Sequence, residues 1–477
     1  MALALVLVPI VVALVAFAVP SNRLRPWLVP LAAAVHLALV ISALGQPALV
    51  ALGGWIVFDD LGKLVLSFTS VLFFLCAIYA PGYLATHPER DNRIFCVALL
   101  AFLGTLSLIV ESHHLGLMWV ALESSTLASA PLVYWRRTPQ SLEAVWKYLL
   151  VGSVGVALAL LGSLFLAYSA FVSGSPPSLL FEDMVRAAPH LSRPWLDSAF
   201  VLLFIGYGTK MGLAPMHTWK PDAYGEAPGL VGALLAGGLT NCAFLAVLRF
   251  YRIVSVAGEG AFARQLMIVS GLLSMAVAAI FMARQRDFKR MLAYSSVEHM
   301  GILVVGVGVG GMGVFGSLYH LINNGLTKGV LFLSAANIHR AFASKSTKDV
   351  SGALRRVPLS GALFLAGFFA ITGSPPFGPF LSELTIVNAA LLRGHWIVGA
   401  LFLVLLAVVF VGMGATVLAV VQGKPPERYE ALPYKETFLT IAPIVAFVGG
   451  ALMLGLYVPR PLDALLHGAA DFVQGGR

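Results

Sequence analysis

Residues 204–237 read FIGYGTKMGLAPMHTWKPDAYGEAPGLVGALLAG, and this stretch decides the fold. It places Lys210 in an apolar segment and follows it with Gly212 and Pro215. Proline removes a backbone donor and clashes with the preceding turn, so a membrane helix should break here. Broken helices are tolerated at membrane depth only where protein or a water-filled cavity satisfies the freed groups. We therefore expect an interrupted helix that presents Lys210 to the interior, after which HTWKPDA leaves the membrane.

A second interruption is predicted at TGSPPFGP, residues 372–379, inside an apolar stretch too long for one straight helix. Glu383 follows it, either as a functional carboxylate or as a helix-start acid favoured by the helix dipole. The two interruptions are five predicted spans apart. This spacing is typical of two related halves, each with a site near the middle of the membrane.

The composition is that of a polytopic helical membrane protein. The 477 residues are 59% hydrophobic and 11% charged, with mean hydropathy +0.89, whereas soluble domains carry roughly 25% charged residues. A span needs about 20 apolar residues. Fourteen spans are predicted: 2–21, 27–50, 64–85, 95–111, 115–134, 146–170, 196–217, 229–250, 264–283, 292–310, 313–335, 359–391, 396–421 and 437–458.

Charge and cysteine content exclude several classes of protein. The net charge of +9 does not indicate nucleic-acid binding, because the Lys and Arg residues are scattered over many short loops. Cys76, Cys96 and Cys242 are isolated, so we expect core packing rather than a disulfide or a metal site. We expect no cofactor, no metal and no catalytic centre on this chain.

Most of the 31 basic residues fall in the loops after odd-numbered spans. The positive-inside rule then places these loops in the cytoplasm and both termini outside. The acidic and basic residues before the third span, Asp59, Asp60 and Lys63, are expected at the outer surface.

Two lysines and two glutamates inside long apolar stretches are the leading candidates: Lys210, Lys328, Glu123 and Glu383. A charge at mid-bilayer costs between about 2.5 and more than 10 kcal/mol, so it persists where a partner or water compensates for it. Burial brings the proton affinities of a carboxylate and an amine closer together, and a buried Glu-Lys pair can then exchange a proton. The structural alternatives are a protonated Glu123 bonded to neighbouring hydroxyls and a snorkelling Lys210.

The eleventh span reads YHLINNGLTKGVLFL and places His320, Asn324 and Lys328 on one helix face, each about 6 Å further along the axis. Water could link these groups. The tenth span contains AYSSVEHMG, in which Glu298 and His299 point about 100° apart. At least one of them should face the interior, and they join His217 as secondary candidates.

Taken together, these motifs resemble the antiporter-like subunits of respiratory complex I, Mrp-type cation/proton antiporters and membrane-bound hydrogenases. The resemblance covers about residues 95–420. LGLMWVALESSTLASAPLVYW, followed by SLEAVWKYLLVGSVGVALALLGS and then SSVEHMG, is most similar to the hydrogenase-4 component F type.

The resemblance implies an all-α fold of about fourteen membrane helices, with two inverted five-helix repeats and broken helices 7 and 12. It also implies that Glu123 and Lys210 form the first-half pair, that Lys328 joins two half-channels, and that Glu383 ends the second. The implied segments are residues 1–94, the repeats at 95–250 and 264–421, and a C-terminal helix and tail at 437–477.

Two positions depart from the family pattern. Ala236 stands where the eighth span often has a histidine, and Asn324 replaces the second histidine of the eleventh-span stripe. Neither can titrate, so a proton path here would need bridging water.

The leading hypothesis is a proton-translocating subunit of a hydrogenase-4-type redox complex in a bacterial or archaeal cytoplasmic membrane. Its partners would be membrane and peripheral subunits that hold the redox centres. The alternatives are a Mrp-type antiporter subunit that also moves Na+, a membrane partner of a large soluble zinc protein for inorganic-carbon uptake, and a scaffold that conducts nothing. The identity of neighbouring subunits would separate these alternatives.

Overall fold

The fold is helical throughout almost all of its length. The computed structural model describes residues 1–176, 178–426 and 434–475. The last two residues of the expected C-terminal segment, 476 and 477, lie outside this range. The N-terminal elements are helix α1 (Ala2–Ala18), α2 (Arg25–Leu44), strand β1 (Leu49–Ala51), strand β2 (Ile56–Phe58), α3 (Asp60–Leu84), α4 (Arg93–Glu111), α5 (Leu115–Val133), α6 (Pro139–Val172) and α7 (Phe181–Ala187).

Two helices of the remainder are interrupted. The elements are α8 (Arg193–Met211), α9 (Trp219–Glu226), α10 (Gly229–Leu234), a π-helical segment (Leu235–Leu239), α11 (Thr240–Val256), α12 (Gly260–Met282), α13 (Phe288–Val309), α14 (Met312–Phe342), α15 (Ala353–Arg356), α16 (Pro358–Ile371), α17 (Gly378–Leu392), α18 (Trp396–Val421), α19 (Phe438–Leu456) and α20 (Arg460–Gln474). Nine helices of the described residues are long and apolar enough to cross a membrane. The count of fourteen spans stays a prediction.

Both expected breaks are present. Helix α8 ends at Met211, where Gly212 adopts a left-handed φ of 76°, and α16 and α17 are separated by residues 372–377. The segment HTWKPDA, which was expected to leave the membrane, is partly buried in the protein. Its last residues begin α9, in which Trp219 and Lys220 are fully buried and which packs between α6 and α13. The short polar segment can stay inside because neighbouring helices cover it.

The second predicted span was too long. Helix α2 ends at Leu44, and the apolar residues after it form an antiparallel hairpin in which Leu49 pairs with Phe58. Pro47 disfavours helical conformation in the residue before it, which explains the early end.

Asp59 was expected at the outer surface but is buried. Its carboxylate caps α3 by accepting from Gly62 N at 2.6 Å, and it pairs with Arg249 on α11 at 3.2 Å and with His113 at 3.0 Å. Lys63 is also largely buried, whereas its partner Asp60 is exposed. The cap therefore ties the start of α3 to the far end of α11.

The C-terminal tail contains a helix that sequence analysis missed. In α20, Leu466, Ala469 and Val473 recur at helical spacing and are buried against α3, α11 and α14. This amphipathic spacing was a usable signal in the sequence.

Helices α10, α11, α13 and the middle of α14 form the centre of the molecule and bury nearly every side chain. By contrast, α1, α2, α6 and α18 carry many exposed apolar residues, as expected of surfaces that face lipid. The charged residues of the central helices therefore lie in a protein interior and not against hydrocarbon.

Candidate functional site

Glu123 and Lys210 lie near one another, but each bonds to a hydroxyl rather than to the other. Lys210, fully buried in the last turn of α8, donates from Nζ to Thr126 Oγ1. Glu123 lies one turn before Thr126 on α5 and accepts from Ser153 Oγ on α6 at 2.8 Å. We call Glu123, Thr126, Ser153 and Lys210 the Lys210 cluster. The second carboxylate oxygen of Glu123 is buried without a protein partner.

Aromatic side chains enclose the Lys210 ammonium. Its Nζ lies 5.1 Å from the centre of the Tyr148 ring, close enough for a cation–π attraction. The Tyr148 hydroxyl bonds to Ser129 at 2.7 Å, and its ring lies 5.0 Å from that of Trp219 on α9. These contacts hold the two sides of the helix break together around the lysine.

The break in α8 leaves few backbone groups without partners. Gly212 N donates to Thr209 O at 3.0 Å, and Leu213 N donates to Gly208 O at 2.9 Å. Ala214 N donates to Ser274 Oγ on α12 at 2.9 Å, and Trp219 Nε1 donates to Thr209 O at 2.9 Å. The interruption is therefore a built part of the fold that places Lys210 at a helix end.

Lys220 is a fully buried lysine in the segment that sequence analysis expected to leave the membrane. Its Nζ donates to Ser296 Oγ at 3.0 Å and lies 3.3 Å from Ser296 O, both on α13. The Tyr224 ring is 5.8 Å away. The available signal was the position of this lysine, ten residues after Lys210 and next to proline. It was missed because the segment is too short and polar to be recognised as membrane-embedded.

The stripe predicted on α14 lies in the core. Lys328 Nζ donates to Ser295 Oγ on α13 at 2.8 Å. Both amide atoms of Asn324 are buried without a protein partner. Because buried polar atoms are normally hydrogen-bonded, the Asn324 position fits a water-binding site.

His299 and His320 connect α13 to α14. His299 Nδ1 and His320 Nε2 lie 2.9 Å apart, and His320 Nδ1 lies 2.9 Å from Ser382 Oγ on α17. Glu298 is buried as well, with an oxygen 3.8 Å from His299 Nε2. The sequence predicted that at least one of Glu298 and His299 faces the interior. In the structure both of them do.

Glu383 ends this series beyond the second helix break. It is 5% exposed, and one carboxylate oxygen has no protein partner. A side-chain carbon at Gly373, which has φ +65°, would overlap Glu383 Oε2, so the glycine makes room for the carboxylate. We call Ser295, Glu298, His299, His320, Asn324, Lys328, Ser382 and Glu383 the Lys328 cluster.

Three members of this cluster could hold a cation. Donor atoms of His299, His320 and Glu383 lie within 4.8 Å of one another. A bound metal ion would have to displace the hydrogen bond between the two histidines. The existing bond suits transfer of a proton between rings, since histidine both accepts and donates near neutral pH.

Two sequence candidates lie apart from these clusters. His217 sits in the loop after α8 with its ring 6.3 Å from that of Tyr294, and its Nδ1 has no protein partner. Ala236 lies in the buried π-helical segment, and such segments often mark functional positions. The structure brings together Lys328, His320, Glu298, His299 and Glu383, but not His217.

A helical interior with buried lysines, histidines and carboxylates across two broken helices defines a membrane protein of the antiporter-like class. A family model described as NADH:quinone oxidoreductase/Mrp antiporter, transmembrane region, matches residues 112–432. The chain belongs to this family.

Relatives and solved structures agree with this membership. The chain is 33% identical over 419 residues to a hydrogenase-4 component F homolog from Methylacidiphilum infernorum, covering 85% of this chain and 86% of that protein. It superposes on a chain of respiratory complex I from Thermus thermophilus with TM-score 0.79 and 27% identity, covering 98% and 99% of the two chains.

A chain of the archaeal membrane-bound sulfane sulfur reductase shares the fold, with TM-score 0.87, 20% identity and coverage of 99% and 97%. This chain is an antiporter-like subunit of a multi-subunit membrane complex. These proteins offer no support for the carbon-uptake alternative.

Proposed function

We propose that this chain moves protons through the membrane as one subunit of a hydrogenase-4-type redox complex. The observation that carries the proposal is the Lys328 cluster, in which hydroxyl, imidazole and carboxylate groups follow one another across α13, α14 and α17. The redox centres would belong to partner subunits, and electron transfer there would drive the proton movement here.

The proposed cycle begins at the Lys210 cluster. When the Glu123 carboxylate approaches Lys210, it stabilises the ammonium, because opposite charges favour the ionised forms. When Glu123 turns to Ser153, that stabilisation is lost and the proton is released towards the Lys328 cluster. Ser153 is exposed on α6, so a neighbouring subunit could control which partner Glu123 takes.

The second half of the path runs from Lys328 to Glu383. A proton on Lys328 passes through water beside Asn324 to His320, whose ring contacts both His299 and Ser382. Glu383 then releases the proton on the opposite side of the membrane. In this scheme the odd-numbered loops are cytoplasmic, both termini are outside, and residues 95–250 and 264–421 act as the two halves.

The Mrp-type alternative differs from this proposal in the ion that is transported, because a Mrp-type subunit would move Na+ as well as protons. The donors of the Lys328 cluster include two imidazoles, which bind protons well, whereas Na+ as a hard cation favours oxygen ligands. We therefore favour proton movement alone. Transport that requires Na+ in vesicles of the purified complex would support the antiporter alternative.

Glu123→Gln and Lys210→Ala test the proposal in the intact complex, purified through this chain and reconstituted in vesicles. Each change removes a group that carries or controls the proton, so we expect proton transport by this subunit to fall about tenfold or more. The measurement is protons moved per electron transferred, with assembly checked by co-purification.

Glu143→Gln is the matched control, because Glu143 forms an exposed ion pair with Lys147 at 2.6 Å on α6. It should leave the ratio unchanged. Wild-type ratios in both test variants would show that the Lys210 cluster is structural.

A further inference from the structure

The two clusters are separated by a helix break, and Lys220 is a lysine that contacts the elements of both. On the side of the Lys210 cluster, its aliphatic chain lies over Gly212, the residue that ends α8 two positions after Lys210. A side-chain carbon at Gly212 would overlap the Lys220 methylenes. The conformation of the break therefore accommodates Lys220.

On the other side, Lys220 reaches the helix that holds Lys328. Its Nζ bonds to Ser296, while Lys328 bonds to the adjacent Ser295 at 2.8 Å. Neighbouring residues of a helix point about 100° apart. The two lysines thus approach α13 from different directions at the same level.

We propose that Lys220 is the proton relay between Lys210 and Lys328. The Lys210 ammonium gives its proton, through water or a hydroxyl, to the neutral Lys220 amine, and Lys210 becomes neutral. The Lys220 ammonium then gives a proton to the neutral Lys328 amine. No other bond changes, and one positive charge moves from α8 to α14. This inference rests on the proposed function.

Charge repulsion sets the order of the two transfer steps. Lys220 and Lys328 are both fully buried, and Glu298 is the carboxylate of the Lys328 cluster that lies on α13 beside them. Two buried ammonium groups repel strongly in a medium of low dielectric constant. Holding both protons at once is unfavourable, so Lys220 takes up a proton after Lys328 has passed its own proton on, when the neutral Lys328 amine can accept the next one.

Lys220 also supplies a titratable side chain near the eighth span, where Ala236 stands in place of the histidine that the family often has. Ala236 and its neighbours in the π-helical segment are apolar or glycine, so this part of the core offers no titratable side chain. The buried Lys289 donates from Nζ to two backbone carbonyls, Gly225 O at 2.9 Å and Ala227 O at 2.6 Å. Lys220 also contacts a side-chain hydroxyl, that of Ser296, which can both accept and donate a proton.

Lys220→Arg and Lys220→Met test the relay in the intact reconstituted complex. Arginine keeps the positive charge but does not release its proton in proteins. Methionine keeps the approximate length but cannot carry a proton. We expect both variants to co-purify with the complex, and we expect both to lower the ratio of protons to electrons to the value of Lys210→Ala. An anchoring or purely electrostatic role would instead let Lys220→Arg restore the wild-type ratio.

Lys63→Met is the control, because Lys63 is another largely buried lysine whose ion-pair partner is the exposed Asp60 at 3.1 Å and which belongs to neither cluster. It should leave the ratio unchanged. If Lys210→Ala lowers the ratio while Lys220→Met keeps it at wild type, the relay is overturned and the proposed function stands. If Lys210→Ala itself has no effect, the proposed function fails first. Should the arginine variant not assemble, the methionine variant decides alone.

Discussion

At the scale of single residues, the proposed proton path depends on Asn324 in the gap between Lys328 and His320. Both of its amide atoms are buried without a hydrogen-bond partner among the described residues, and leaving such groups unpaired costs about 1–3 kcal/mol each. Ordered water is the usual remedy in a polar core. In the proposed path, Asn324 therefore binds water and does not itself carry the proton.

Replacing Asn324 by histidine should be tolerated, because an imidazole can replace the water that bridges Lys328 to His320. We expect Asn324→His to keep the ratio of protons to electrons near wild type and Asn324→Leu to lower it sharply, since leucine binds no water. Proton transport in reconstituted vesicles measures both. Loss of assembly in the histidine variant would indicate tight packing at this position rather than a hydrated one.

Buried charged residues could be recognised in the sequence where a charged residue stands inside an apolar stretch. Lys210, Lys328 and Glu383 were found for this reason, and all three are buried in the structure. Lys220 was missed because its own segment is polar, and the lysine is buried only because α6 and α13 cover it in the tertiary structure. Burial of a short polar segment depends on neighbours that local sequence does not encode.

At the scale of elements, the start of α3 is held by the buried carboxylate of Asp59, a residue that was expected at the outer surface. Burial alone would raise the pKa of the Asp59 carboxyl, yet the adjacent Arg249 guanidinium and His113 ring outweigh it and hold that pKa below its usual range. A carboxyl with a lowered pKa stabilises the folded state above its unfolded pKa of about 4. This contribution is lost as pH falls towards the folded pKa.

Asp59→Asn should destabilise the chain by about 3–5 kcal/mol, because it leaves the buried Arg249 without its counter-charge. Asp60→Asn is the matched control, since Asp60 is the next residue but is exposed and pairs with Lys63. It should cost about 0–1 kcal/mol. Thermal unfolding of the two variants in detergent compares them. Equal melting temperatures would show that the cap alone, which asparagine can also provide, holds the helix start.

The helix breaks were predictable, whereas other element boundaries were not. Pro215 and the pair Pro375–Pro376 predicted the interruptions, because proline has no backbone N–H and cannot continue a helix without the loss of a hydrogen bond. The hairpin of residues 49–58 and the amphipathic helix α20 escaped notice. The hairpin packs on α1 and α4, whereas α20 packs on α3, α11 and α14 through the apolar face that its spacing already indicated.

At the scale of the whole molecule, the two clusters lie inside one continuous protein core, with Lys220 at the break between them. This arrangement needs no lipid-exposed charge, and in the proposed function a neighbouring subunit acts on Glu123 from the side. The residues of the two clusters could be proposed from the sequence, because their motifs occur in the same order as in the family. The proposed link between the clusters through Lys220 could not, because it depends on how α9 folds back between α6 and α13.

The orientation in the membrane that we propose from the basic loops can be tested with cysteine labels. Cys76, Cys96 and Cys242 are free but buried, so the native chain should react weakly with a membrane-impermeant thiol reagent. Glu89 lies in a loop expected in the cytoplasm, and Arg186 lies in one expected outside; their side chains are 63% and 76% exposed. We expect Arg186→Cys to be labelled in intact cells and Glu89→Cys only after the membrane is opened. The reverse pattern would invert the proposed topology and with it the direction of proton movement.

Labelling of neither variant, even in opened membranes, would place both loops under partner subunits. The same test would then be applied to the chain released from the complex in detergent.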